Sequence, residues 1–322
     1  MSIQTTSPRV TIITATYNYS SVLRYAIASV LAQTFQAFEY LIIGDACTDD
    51  TAEVVASFND PRLHFHNLAT NSGSQSAPNN KGLELARGEY IAYLGHDDLW
   101  APNHLETLVR ALDDTGAEWA HPLAVMIGPP QSDVRVLIGL VEPGTDPARA
   151  TYLTSGVMHR RARVDTIGKW KDYRTLEITP DREFHQRCRN GVKIAYLENL
   201  SVFKFPSAWR KNVYRDKPSH EQAAYLERMR QEKDFIQNEL LAVIKASEFG
   251  TYDKWAARIE LPLALTPTAP LGTLVESWRR YRGLTPNALT PRPWWEILRI
   301  RAWRALADVT RPVRQALRRA TK

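Results

Sequence analysis

Two adjacent acids, Asp97 and Asp98, follow a run of apolar and aromatic residues, Tyr90, Ile91, Ala92, Tyr93 and Leu94, across a Gly95-His96 step. Neighbouring carboxylates repel each other, and a site that keeps them together commonly has a cation between them and an anionic ligand. The preceding run has the composition of a buried strand, so the acids are predicted to emerge at the rim of a sheet, where open α/β sheets bind ligands. Two other polar groups stand in equivalent places: Thr16, Tyr17 and Asn18 after the apolar run Val10–Ala15, and Asp45 after Phe38–Ile43 and Gly44. Polar turns from three separate strands converging on one edge form an active-site pattern.

The elements that must position these turns are readable in order. After the first strand, Tyr17-Asn18-Tyr19-Ser20-Ser21 supplies turn and capping chemistry, and Leu23, Ile27, Val30 and Leu31 mark one face of a helix. A second strand over Phe38–Ile43 is followed by the polar turn Cys47-Thr48-Asp49-Asp50 and a helix from Thr51. A third strand is predicted over Leu63–Asn67, then a loop over Thr70–Ser76, a helix over Asn80–Ala86 closed by Gly88, and the strand that carries the acids. Such alternation implies a mostly parallel sheet covered by helices. Further on, strands are predicted at Leu123–Gly128, Val134–Val141, Gly156–Met158 and Ile194–Phe205, with a helix over Asp181–Arg189 stopped by Asn190-Gly191. His220–Glu248 reads as one or two amphipathic helices.

With 322 residues, 44% of them hydrophobic, the chain has room for one large domain and an appendage. Two cysteines, Cys47 and Cys188, are too few for a disulfide framework and lack metal-ligand spacing, which fits a reducing cytoplasm. The first residues show no secretory pattern, and no apolar run approaches the ~20 residues that span a bilayer. The formal charge of +6 is concentrated at one end: from Arg292 to Lys322 nine Lys and Arg face only Glu296 and Asp308, so that segment carries +7 and the rest −1.

The segment Val10–Asn18, the helix with Ala28-Ser29-Val30-Leu31-Ala32-Gln33-Thr34, and Asp45 before Cys47-Thr48-Asp49-Asp50-Thr51 resemble a family 2 glycosyltransferase of the GT-A fold. Asn71-Ser72-Gly73, Asn80-Lys81-Gly82, Gly88-Glu89-Tyr90-Ile91 and Asp97-Asp98 extend the likeness, which is close over about the first 105 residues and looser to about residue 210. The resemblance implies an α/β, Rossmann-like, mostly parallel mixed sheet flanked by helices, with a C-terminal helical extension. It divides the chain into a catalytic domain over 1–210, with a nucleotide-sugar half to about 105 and an acceptor half beyond. An amphipathic extension over 211–260, a Pro-containing linker region over 261–292 and a basic Trp/Arg-rich helix over 293–322 follow.

Residue roles follow from the same resemblance. Thr16, Tyr17, Asn18, Asp45, Asn80 and Asp97 would hold the nucleotide of a nucleoside diphosphate sugar, with Asp45 accepting N3–H of a uracil-type base and Tyr17 against its ring. Asp98 would bind Mg²⁺ or Mn²⁺, with Asp97 reaching the ribose or a metal-bound water. Asp181 falls on the base position, with Glu183 or Glu177 as substitutes, and a single base implies direct displacement with inversion. Arg210 and Lys211 are candidate phosphate contacts. Gly44, Gly95 and Pro180 stand where the family often has an acid, so a non-catalytic scaffold or nucleotide-sugar-binding protein is the competing reading. A sugar-phosphate nucleotidyltransferase would need a Gly-rich phosphate loop where Thr14-Ala15-Thr16-Tyr17-Asn18 stands.

The implied acceptor is a bacterial surface glycan or a lipid-linked oligosaccharide. Trp294, Trp295 and Trp303 among the arginines of the tail suit a helix lying on an anionic membrane, and equally one docked on its own catalytic domain. The expected location is cytoplasmic, with peripheral contact at the inner face of the cell membrane through that tail. No base-reading motif accompanies the basic residues, and no nucleic-acid partner is expected.

Overall fold

Six of the seven residues Val10–Thr16 are β-branched, a composition that fits a pleated, packed surface, and they form the central strand β1. In the computed structural model, which describes residues 7–130, 132–141, 150–210 and 212–248, every residue of β1 except Ala15 is buried. β1 pairs in parallel with β2 (Phe38–Gly44) on one side and β4 (Tyr90–Tyr93) on the other, and β2 pairs in parallel with β3 (Leu63–Asn67). Beyond β4 the sheet becomes mixed. Its order is β3-β2-β1-β4-β8-β6-β9-β5, with β5 at Leu99–Trp100, β6 at Trp119–Ile127, β8 at Met158–Arg160 and β9 at Ile194–Lys204. A ninth strand, β7 (Arg135–Ile138), pairs with β6.

The threonines of β1 lock its neighbours. Thr11 donates to Glu39, 2.7 Å away on β2, and Thr14 donates to the carbonyl of Leu94 at 2.7 Å. The second bond fixes the point at which the chain leaves β4 toward Asp97. Helices α1 (Ser20–Leu31), α2 (Thr51–Ala56), α3 (Ser76–Leu85) and α4 (His104–Thr115) complete the first half. Leu23, Ile27 and Val30 of α1 enter the main core with Leu105, Leu108, Val109 and Leu112 of α4, while Leu31 packs at its edge.

The predicted helix over Asn80–Ala86 begins earlier, at Ser76, and ends at Leu85. Pro78 concealed this start, yet it lies in the first turn, where a missing N–H costs nothing. The strand expected over Val134–Val141 is shorter: β7 ends at Ile138, and Gly139 follows with φ +95°. The chain then continues through α5 (Ala162–Ile167) and α6 (Pro180–Arg189). The short α7 (Val213–Asp216) comes next, followed by α8 (His220–Gln231) and α9 (Phe235–Glu248). Tyr225 and Leu226 of α8 and Phe235 and Val243 of α9 share one core with Leu99, Val125 and Phe203. These two helices therefore close the sheet's second half. The linker region and basic tail of the sequence analysis lie outside the described residues. Among the described residues no helix is long and apolar enough to cross a membrane.

Candidate active site

Parallel pairing in register brings the polar turns together. Thr16 of β1 is level with Gly44 of β2, and Ile13 is level with Tyr93 of β4, so the chain leaves three adjacent strands on the same rim. A cavity of about 560 Å³ opens there, lined among others by Thr16, Tyr17, Asp45, Asp97, Asp181 and Lys204.

The turn that carries Asp45 is tightly tied. Both carboxylate oxygens of Asp45 accept backbone N–H bonds, from Ser72 at 2.9 and 3.1 Å and from Gly73 at 3.0 Å, and Asn71 donates to the Asp45 carbonyl at 2.8 Å. The run Asn71-Ser72-Gly73 thus folds over the second turn and aims Asp45 into the cavity. An added Cβ on Gly44 would lie 2.4 Å from Asn67 Oδ1, so the room for an acid at this position belongs to Asn67. Tyr17 is 46% exposed at the mouth.

Asn18 does something different from the expected nucleotide contact. With φ at +49°, it accepts from the amide of Thr48 at 2.7 Å and donates to the Thr48 hydroxyl at 3.3 Å, joining the first two turns instead of lining the cavity. Asn80 is also displaced from the expected role. Its amide donates to the Trp170 carbonyl at 2.9 Å and accepts from the Trp170 amide at 2.8 Å, while Pro78 and Asn79 take the places on the cavity wall.

The paired acids separate. Asp97 lines the cavity and accepts from the Ser207 hydroxyl at 2.7 Å. Burial alone would raise its pKa, but His96, Lys204 and Ser207 outweigh burial and hold it below the usual carboxylate range. Asp98 is fully buried and does not line the cavity. Its carboxylate accepts from Lys204 at 3.0 Å, from the Phe205 amide at 3.2 Å and from the Ser155 hydroxyl. Burial first, and then Asp97, push its pKa up against the pull of Lys204. Of the two acids expected at the metal, the structure thus places Asp97 on the cavity and Asp98 behind its wall. Gly95 follows from the same packing, because a Cβ there would lie 2.8 Å from Asp98 Oδ2.

Among the described residues, no group of three or more His, Cys, Asp or Glu could hold a metal ion. One or two carboxylates completed by substrate phosphates and water is the arrangement Mg²⁺ commonly takes. Asp97 fits that arrangement. His96, beside it, lines the cavity with its ring edge-on to Tyr19 at 4.9 Å and its Nδ1 3.1 Å from the Thr16 hydroxyl. Burial lowers its pKa despite both aspartates.

Asp181 sits in the first turn of α6, and Phe184, His185 and Cys188, three, four and seven residues on, continue its side of the helix into the core. Trp170 stacks on Phe184 at 4.5 Å, and Tyr93 of β4 lies within 6.2 Å of the same ring, so the aromatic cluster fixes where the helix begins. Asp181 thereby reaches the cavity, with the Thr154 hydroxyl 3.4 Å away. Pro180 is the first residue of the helix, a place proline favours. Glu183 pairs with Lys171 and Arg187, each at 2.8 Å, and neither it nor Glu177 lines the cavity.

Arg210 is not a phosphate contact in this arrangement. Its side chain is only 7% exposed, pairs with Glu221 and donates to the carbonyls of Pro206, Ile127 and Gly128. Lys211 lies outside the described residues. Lys204, Ser207 and Tyr214, the last 62% exposed, are among the cavity residues that the sequence reading did not single out. The signal for Lys204 was a single charge within the otherwise uncharged stretch Leu200–Phe205.

Residues 11–137 match the family model described as Glycosyl transferase family 2. The putative teichuronic acid biosynthesis glycosyltransferase TuaG of Bacillus subtilis is 38% identical over 101 residues, 31% of this chain and 40% of that protein. The succinoglycan biosynthesis protein ExoO of Rhizobium meliloti is 36% identical over 113 residues, 35% of this chain and 32% of that protein. The matches thus span 32–40% of these relatives' length. Among solved structures, S. aureus TarS in complex with UDP-GlcNAc aligns with a TM-score of 0.54 at 16% identity, over 85% of this chain and 80% of that one. A mannosyltransferase from Pyrobaculum calidifontis in complex with GDP-Man and Mn²⁺ aligns with a TM-score of 0.50 at 17% identity, over 86% and 88%. These likenesses establish a GT-A fold.

Proposed function

Because residues 11–137 match the model of glycosyl transferase family 2, we propose that the chain is an inverting glycosyltransferase moving a sugar from a nucleoside diphosphate donor, of the UDP type, to an acceptor hydroxyl. The observation that carries this reading is the meeting of Asp45, Asp97 and Asp181, from three distant parts of the sequence, on one cavity. Asp45 and Tyr17 face the base, and Asp97 faces the phosphates. Asp181 takes the proton from the acceptor hydroxyl as its oxygen bonds to the anomeric carbon and the bond to the diphosphate breaks. One displacement inverts the anomeric centre. A Mg²⁺ or Mn²⁺ held by Asp97 and the donor phosphates would offset the charge that builds on the leaving diphosphate.

The biosynthetic roles in the names of TuaG and ExoO support a bacterial surface polysaccharide or glycolipid as acceptor class. The basic Trp-containing tail supports work at the inner face of the cell membrane. The full chain incubated with UDP- and GDP-sugars and Mn²⁺ should release the nucleoside diphosphate from one of them. Binding of a donor without release by any acceptor fraction would favour the non-catalytic nucleotide-sugar-binding reading, which Gly44, Gly95 and Pro180 suggest.

A further inference from the structure

A nucleoside diphosphate entering this cavity meets Asp45, Asp97 and Asp181, and among the described residues that line it Lys204 is the only Lys or Arg. Like charges lining one partly desolvated cavity oppose binding of an anion, so the diphosphate needs a positive group close by. Arg210 cannot serve, because its guanidinium is enclosed by Glu221 and three backbone carbonyls.

Lys204 is placed to do so. It closes β9, its side chain is 30% exposed, and the carboxylate it holds is fully buried behind it. An ammonium carries three N–H donors. One goes to Asp98 Oδ2 at 3.0 Å, which leaves two for a ligand in the cavity that Lys204 lines. Asp98 would lose nothing by this, since the Ser155 hydroxyl and the Phe205 amide also hold it. The Asp98–Lys204 pair is therefore a mount: the buried acid fixes the stem and aims the charge.

We propose that Lys204 is a fixed cationic anchor for the donor's diphosphate, binding its oxygens directly and without a divalent ion. The proposal rests on the reading of the cavity as a nucleotide-sugar site.

The test compares UDP with uridine, and GDP with guanosine, by calorimetry and ligand-observed NMR on the full chain, in EDTA and in Mn²⁺. In EDTA the wild type should bind the diphosphate at least tenfold more tightly than the nucleoside. Lys204→Met should bring that ratio close to one while nucleoside binding stays unchanged. Because Lys204→Met leaves Asp98 buried without its partner, the double variant Asp98→Asn/Lys204→Met, which removes both charges, should give the same ratio with a wild-type melting profile. An unchanged ratio in both variants overturns the proposal, as does a wild type that distinguishes diphosphate from nucleoside only with Mn²⁺. A parallel loss of nucleoside binding in both variants assigns Lys204 a structural role and also overturns it. In these cases nucleoside binding by the wild type keeps the nucleotide-sugar reading intact. A wild type that binds none of the four compounds, with or without Mn²⁺, overturns both.

Discussion

Asp97 and Asp98 are neighbours in the chain with opposite surroundings: Asp97 lies on the cavity and accepts from Ser207, whereas Asp98 is fully buried and held by Ser155, Lys204 and the Phe205 amide. The peptide between them is the boundary between the cavity and its support. Acidic residues that repel each other when side by side are tolerated here because each has its own donors, and Lys204 is close enough to act on both.

That separation predicts two different failures. Asp97→Asn should leave the melting temperature close to wild type and reduce donor turnover by about a hundredfold, the scale on which removing one electrostatic group from a reacting site acts. Asp98→Ala should instead destabilise the fold by roughly 3–5 kcal/mol, because it strands the Lys204 charge in a partly buried place. Thermal melts and donor hydrolysis on the same preparations would show the contrast. A stable Asp98→Ala protein with selectively lost turnover would return the direct role to Asp98.

The first half of the fold was legible because its physics is local. The β-branched run at Val10–Thr16, the alternation with α1, and the strand ending before Asp97 each announce themselves within a few residues. The roles of Asn18, Asn80 and Arg210 were not legible, because each is decided by a partner in another part of the fold: Thr48, Trp170 and Glu221. The same holds for Asp98, whose burial depends on Ser155 and Lys204 arriving from β8's approach and the end of β9. Lys204 escaped notice for a related reason. A lysine at a strand end is ordinary in sequence, and only the sheet order, which sets β9 beside β6 and β5, places it at the acid turn.

Asp181→Asn keeps the shape of the first turn of α6 and removes its proton acceptor. The expected outcome is transfer slowed by about a hundred- to ten-thousandfold, with donor affinity unchanged, since general-base catalysis contributes on that scale. Titration of the donor nucleotide against the variant, beside a single-turnover assay, separates the two quantities. Equal loss of donor affinity would mean that Asp181 holds the nucleotide and that the base lies elsewhere.

The tail makes a separate prediction. With +7 between Arg292 and Lys322 and three tryptophans interspersed, the full chain should sediment with anionic vesicles and not with neutral ones. A chain ending at Pro291 should stay in the supernatant in both cases. Raising the salt concentration should weaken the binding of the full chain, because basic residues at a lipid surface act within a Debye length. Equal sedimentation of both chains would remove the tail from membrane contact and favour its docking on the catalytic domain.

The aromatic cluster beneath Asp181 makes the fold sensitive to acid in a defined direction. Both ring nitrogens of the buried His185 lack hydrogen-bond partners, and Tyr93, Tyr152, Trp170 and Phe184 surround the ring. Burial holds its pKa well below the ordinary value, and His159 nearby is pushed down to about 4 for the same reason. In the unfolded chain both histidines take up a proton near pH 6.5. Between that pH and their folded values the unfolded state binds more protons, so stability rises with pH and is lost as pH falls below about 6.5. At pH 5 each group should remove roughly 2 kcal/mol relative to pH 8. Carboxylates protonate in the same range, so the wild-type profile alone would not isolate the histidine. His185→Phe keeps an aromatic ring in the same surroundings and removes the titration. Its stability relative to wild type, from urea unfolding at each pH, should therefore increase by about 2 kcal/mol between pH 8 and pH 5. A constant difference across that range would mean that His185 finds a partner for its proton and is not held neutral by the cluster.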